Sequence, residues 1–95
     1  MKLFTISEYA LLQTEESFNY YESKEKGLGI RFKNEIIIIF ELIKKNPLLF
    51  PAKFKHYREA LVKGFPFLIV YEIEPKEVII LNVFHTSQNP KKKTK

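Results

Sequence analysis

Arginine and histidine, Arg58 and His85 among them, are the side-chain types of this sequence that best suit chemistry on a charged substrate. A guanidinium presents a planar fork of donors that matches a phosphate, and an imidazole exchanges a proton near neutral pH. Metal-free cleavage of RNA needs such groups: one to take the 2′-OH proton, one to protonate the leaving oxygen, and cations to hold the charge that builds on the phosphate. Lys63, Lys91, Lys92 and Lys93 add positive charge for contact with nucleic acid or an acidic partner, and Tyr71 adds a phenol. Each has a plainer account. Arg58 can be a surface arginine paired with Glu59 or Glu72, His85 can cap a sheet edge, and Tyr71 can be a core residue with its hydroxyl at the rim. A lysine-rich tail is most often simply solvated. His56 reads as a loop or edge histidine.

Composition removes other chemistries. The chain has no Cys, which rules out a thiol nucleophile, a disulfide framework and a thiolate metal site. With two His and no Asp, neither a metal site nor a cofactor is expected. The longest apolar run, Ile36 to Phe40, is far short of the roughly 20 residues of a membrane span. Met1-Lys2-Leu3-Phe4 leads straight into polar residues, so neither signal peptide nor anchor is read and a cytoplasmic location is expected. The net charge of +5 is unevenly placed: residues 1–50 carry seven Lys/Arg against seven Glu, residues 51–95 nine against four. A positive half suits an RNA or ribosomal target or an acidic protein partner, although it also serves solubility.

The elements that position these residues follow from periodicity. With 95 residues and 45% hydrophobic composition, one domain is expected over 1–88, followed by a basic, flexible tail over 89–95. Lys2 to Ile6 reads as a short strand, and Ser7 is a good N-cap for a helix opening on Glu8. Leu11, Thr14, Phe18 and Tyr21 form its apolar face, with Gln13, Glu16, Asn19 and Ser23 outward. Gly27 suits the left-handed C-cap of this helix, and Gly29 keeps the connection tight for a second, antiparallel helix. Four consecutive isoleucines favour a strand by propensity. Against that, Phe32, Ile36, Ile39 and Ile43 step by 4, 3 and 4 between Ile30 and Lys45, and Asn46-Pro47 is a stop, so a helix is predicted. Ile37 and Ile38 widen its apolar face. Either the helix is clamped between the sheet and the first helix, which is the expectation, or these residues await a partner. After a loop from Pro47 to Pro51, three antiparallel strands are predicted at Lys55–Lys63, Phe67–Glu74 and Val78–His85. The middle one is apolar on both faces and so central, and the first is the edge.

The punctuation of this α+β order resembles the RelE/ParE toxins of bacterial type II toxin-antitoxin systems, β-α-α-β-β-β, over nearly the whole chain. The marks are Tyr20-Tyr21-Glu22, Gly27-Leu28-Gly29 with Arg31-Phe32, Asn46-Pro47, Arg58-Glu59-Ala60, Phe65-Pro66-Phe67 with Ile69 and Tyr71, Val83-Phe84-His85 and Asn89-Pro90. The resemblance implies a growth-inhibiting toxin covered by a cognate antitoxin. Some members cleave messenger RNA in the ribosome without metal, and others poison DNA gyrase without hydrolysis. It also aligns Arg58 with the family's strand arginine, and His85 with a position where many relatives carry His. Gln88 stands where many relatives have Arg, and no Tyr follows His85, which favours the ParE-like inhibitor over a RelE-like ribosome-dependent endonuclease. Outside the toxin class, a non-toxic protein-interaction module remains an alternative.

Overall fold

Ser7 ends a strand and starts a helix in one residue. Its extended backbone (φ −62°, ψ 155°) follows β1 (Leu3–Ile6), and its hydroxyl accepts from the Ala10 N–H at 3.0 Å to cap α1 (Glu8–Lys24). The same hydroxyl donates to the Leu81 carbonyl at 3.1 Å, which fixes the angle at which α1 leaves the sheet. The fold is a computed structural model describing residues 2–87. The calls on Gln88, on Asn89-Pro90, on Lys91, Lys92 and Lys93, and on the 89–95 tail lie outside those residues.

Glu22 joins the two helices. Its carboxylate oxygens accept from the Gly27 and Gly29 N–H groups, each at 2.9 Å, and so cover the otherwise unsatisfied donors that open α2 (Leu28–Lys45). Gly27 takes the left-handed conformation (φ +89°) that the turn between the helices requires, but as the N-cap of α2 and not as the C-cap of α1, which is Glu25. The Gly27 N–H bond holds the Glu22 carboxyl below its ordinary pKa, aided by Gly29, Ile30 and Lys26 and opposed by burial. A carboxyl whose folded pKa is depressed stabilises above its unfolded pKa, and that contribution is lost as pH falls through the folded value. Melting curves should therefore show Glu22→Gln well below the parent chain near neutral pH. The gap should close as the pH drops beneath the ordinary carboxylate range. A gap that stays constant with pH would remove the ionised carboxylate from the hairpin's stability.

Gly29, Phe32, Ile36, Ile39 and Ile43 form the buried stripe of α2, so the helix reading of the isoleucine run holds. Burial of the whole face does not. Ile37 and Ile38 remain 51% and 50% exposed, and Ile30 and Leu42 are exposed beside them. Successive helical residues turn by roughly 100°, so one sheet and one antiparallel neighbour bury only the stripe between them. Ile37 and Ile38 are therefore exposed rather than clamped.

The remaining chain forms β2 (Ala52–Phe54), β3 (Tyr57–Leu61), β4 (Phe67–Ile73) and β5 (Glu77–His85). Among the described residues the sheet order is β1-β5-β4-β3-β2, with β1 parallel to β5 and the other pairs antiparallel. The predicted meander is present with one additional strand. β2 pairs Ala52 with Arg58 and Phe54 with Tyr57, which moves the edge from β3, where it was expected, to β2. All three β2 residues are exposed, so no alternation marked them. The central position of β4 follows its sequence, with Phe67, Ile69, Val70 and Tyr71 all buried.

Gln13 also differs from expectation. β1 ends at Ile6, so beyond Ile80 the strand β5 loses its neighbour on that side. Gln13 turns inward instead, its Oε1 accepting the Val83 N–H at 2.7 Å in place of a strand partner. The inward line of α1 consequently includes buried Ala10 and half-buried Gln13, and Leu11 is left exposed.

Candidate functional site

Arg58 lies opposite Tyr71 in the β3–β4 pairing, and both hold the segment between α2 and β2. The Arg58 Nη1 donates to the Phe50 carbonyl at 2.6 Å, and the Tyr71 hydroxyl donates to the Pro47 carbonyl at 2.6 Å. Phe50 meets the Tyr71 ring edge-on at 6.5 Å. The Tyr71 side chain is fully buried, and burial pushes its phenol above the ordinary pKa against opposing pulls from the Phe50 backbone and the Arg58 charge. Tyr71 is thus a core residue whose hydroxyl bonds the Pro47 carbonyl. Glu72, one candidate partner for Arg58, instead lies 2.7 Å from His56 Nε2.

Truncating Arg58 has a structural consequence that the sequence did not suggest. Arg58→Ala leaves the half-buried Phe50 carbonyl without its charged donor, an expected cost of about 1–3 kcal/mol, rather than the neutral change of a surface position. Thermal unfolding of the variant checks this. An unchanged midpoint would show that the guanidinium does not hold the 47–51 segment.

His85 closes β5 at the opposite end of the sheet, paired with Phe67 and standing edge-on to its ring at 5.3 Å. Its Nδ1 accepts the Ser87 N–H at 3.1 Å and lies 2.6 Å from the Ser87 hydroxyl, so in the neutral ring the proton belongs on Nε2. It borders a hollow of about 230 Å³ walled by Tyr20, Tyr21 and Phe67, with Glu16 and Ser17 at the rim. Burial, and then the neighbouring Tyr20, raise the Tyr21 phenol above its ordinary pKa.

The sheet register separates the two residues. Arg58 pairs with Tyr71 and His85 with Phe67, on opposite flanks of β4 and four residues apart along it. With about 3.3 Å per residue and about 4.8 Å between strands, their backbones stand on the order of 16 Å apart. Lys63 belongs to a third place, a recess of about 250 Å³ with Arg31, Asn34, Glu35, Gly64 and Phe65. Among the described residues, the predicted Arg58, His85 and Lys63 therefore lie apart from one another.

A different cluster does converge. A groove of about 670 Å³ runs between β1 and the C-terminal end of α2, lined by Leu3, Phe4, Pro47 and Val78 with Lys2, Lys44 and Lys45. Among the described residues no carboxylate lines it. Lys2 Nζ donates to the Glu74 and Pro75 carbonyls at 2.8 Å each, and Lys44 Nζ stands 5.2 Å from the centre of the Phe4 ring and 3.3 Å from Glu41. The sequence showed Lys44 and Lys45 only as a helix-end signal, and nothing local ties Lys2 to them.

The strand, helical hairpin and antiparallel sheet with a parallel N-terminal strand lie almost wholly within the stretch that one family model matches. The model of the ParE toxin of type II toxin-antitoxin system, parDE, matches residues 4–90. The chain belongs to the ParE toxin family. A solved chain described as the chromosomal ParDE TA system from P. aeruginosa superposes with a TM-score of 0.81 at 13% identity, covering 92% of this chain and 98% of that one. At that identity the likeness concerns the fold. No curated protein sequence matches. Membership makes this ParE-family chain the toxin component of a type II toxin-antitoxin system, with an antitoxin as its partner. Among the described residues no helix is long and apolar enough to cross a membrane.

Proposed function

We propose that this ParE-family toxin is a cytoplasmic, non-hydrolytic growth inhibitor that acts by binding DNA gyrase and is neutralised when its antitoxin covers it. The observation that carries the reading is the distance between Arg58 and His85. Metal-free RNA cleavage places the phosphate-holding cation and the proton-transfer group on one phosphodiester, within hydrogen-bond reach of it. Here they flank different ends of β4, and the Arg58 Nη1 donates to the Phe50 carbonyl. A binding inhibitor needs no such convergence. Arg58, Tyr71 and Lys63 then act through the surface they support, and His85 acts as a contact beside the Tyr20 and Tyr21 rings.

Pulse-labelling after induced expression without the antitoxin tests this directly. Thymidine incorporation should fall within minutes, before amino-acid incorporation. If amino-acid incorporation falls first, the RelE-like endonuclease reading replaces this one. If neither falls, the chain is a non-toxic interaction module.

A further inference from the structure

The hollow beside His85 is walled from two directions. Glu16, Ser17, Tyr20 and Tyr21 follow one another at helical spacings of one, three and one, which places them on one side of the C-terminal half of α1. Phe67 and His85 close it from the sheet, where they pair across β4 and β5. The rings meet at steep angles: Tyr20 on Tyr21 at 71°, Tyr21 on Phe67 at 59° and Phe67 on His85 at 77°. Tyr20 remains 57% exposed, so its ring is open to a ligand, and a cation, the Lys24 Nζ, already stands 5.2 Å from its centre. Glu16 adds a full negative charge at the rim. Among the described residues its carboxylate has no hydrogen bond or ion pair, and no lysine or arginine lines the hollow.

We propose that this hollow receives an arginine side chain of the toxin's target, its guanidinium stacked on the tyrosine rings and forked onto the Glu16 carboxylate. That the arginine belongs to the target rests on the binding-inhibitor reading; the hollow's preference for it does not. A planar guanidinium offers its flat face to an aromatic ring and, in its own plane, paired donors to a carboxylate, which are the two features that this hollow combines. An ammonium would meet the carboxylate but has no flat face to lay on a ring. The rim chooses against other occupants. A phosphate, and with it nucleic acid, would face the Glu16 charge directly, and an apolar side chain would bury that charge without a partner.

Nuclear magnetic resonance titration of the full chain with Nα-acetyl-arginine methylamide, and with its uncharged citrulline analogue, reads the hollow. The arginine compound should shift the amides of Glu16, Tyr20, Tyr21 and His85 with a dissociation constant on the order of millimolar, and the citrulline compound should bind about fivefold more weakly or less. Glu16→Gln and Tyr20→Leu should each weaken arginine binding by about threefold or more, with the fold checked by circular dichroism. The control Glu25→Gln, at the C-cap of α1, should leave it unchanged. In cells, Glu16→Gln and Tyr20→Leu should relieve growth inhibition while still binding the antitoxin. Equal shifts from the two compounds, shifts produced by adenosine monophosphate in place of arginine, or variants that bind arginine like the parent overturn the hollow as an arginine site. Arginine binding there with undiminished inhibition by both variants overturns the assignment to the target, while the gyrase reading stands. A parent chain that depresses neither thymidine nor amino-acid incorporation overturns the inhibitor reading and the assignment to a target with it.

Discussion

Phe32→Ala should lower the unfolding free energy by about 3–5 kcal/mol, a large share of the roughly 5–15 kcal/mol that a domain of this kind possesses. The ring is fully buried where the helical hairpin meets the sheet. It lies 5.3 Å from Tyr21, 5.4 Å from Phe65 and 4.8 Å from Phe67, ring centre to ring centre. Removing it leaves a cavity lined by rings from α1, β4 and the turn before β4, and three separate elements cannot collapse into it together. At about 4–8 °C per kcal/mol the midpoint should fall by more than about 12 °C in a thermal scan followed by circular dichroism. Ile38→Ser, on the exposed side of the same helix, provides the contrast, with an expected change within about 0.5 kcal/mol. Similar midpoints for the two variants would show that the aromatic cluster is not the stabilising core.

Gly29→Val should cost roughly 3 kcal/mol, with Gly29→Ala intermediate, because the helices cross there with no room for a side chain. A Cβ at this position would lie 2.6 Å from the Phe18 carbonyl oxygen and 2.9 Å from Glu22 Oε1. The first of these is backbone of α1, so relief requires the helices to separate rather than a side chain to rotate. The second belongs to the carboxylate that accepts from Gly27 and Gly29, so the same substitution disturbs the hairpin's cap. Alanine's better helix propensity returns at most about 1 kcal/mol of the loss. Equilibrium urea unfolding measures both variants. If Gly29→Ala proves as stable as the parent chain, the close crossing does not constrain the hairpin.

These sensitivities bear on function because the hairpin presents Ile30, Ile37, Ile38 and Leu42 outward and ends at the lysines of the β1 groove. A chain whose helices part at Gly29 would disturb the outer apolar face and the groove wall together. Toxicity and antitoxin binding in Gly29 variants should therefore be read beside their stability, as should toxicity in Arg58→Ala.

The features that the sequence determined are those set by short-range interactions. The 4-3-4 spacing of Phe32, Ile36, Ile39 and Ile43 specified α2 against the β propensity of its isoleucines, since a helix is what brings those four onto one stripe. Ser7, Gly27 and Asn46-Pro47 marked the helix ends through bonds and dihedrals local to them. The two apolar faces of Phe67–Ile73 placed β4 at the centre, and the ordered marks along the chain pointed to the family. Only the tertiary structure decided what each polar or surplus apolar group meets. β2 exists through pairing with β3, and its exposed residues carry no pattern of their own. Gln13 turns inward because β1 ends at Ile6, a fact about a strand paired some 70 residues away in the chain. Arg58 met the Phe50 carbonyl while Glu72 met His56, and the register of β4 set Arg58 apart from His85. Lys2, Lys44 and Lys45 converge only because β1 and the end of α2 pack against the same part of the sheet. Periodicity records which side of an element is apolar, whereas register and the points where neighbours stop decide which groups are left to be satisfied.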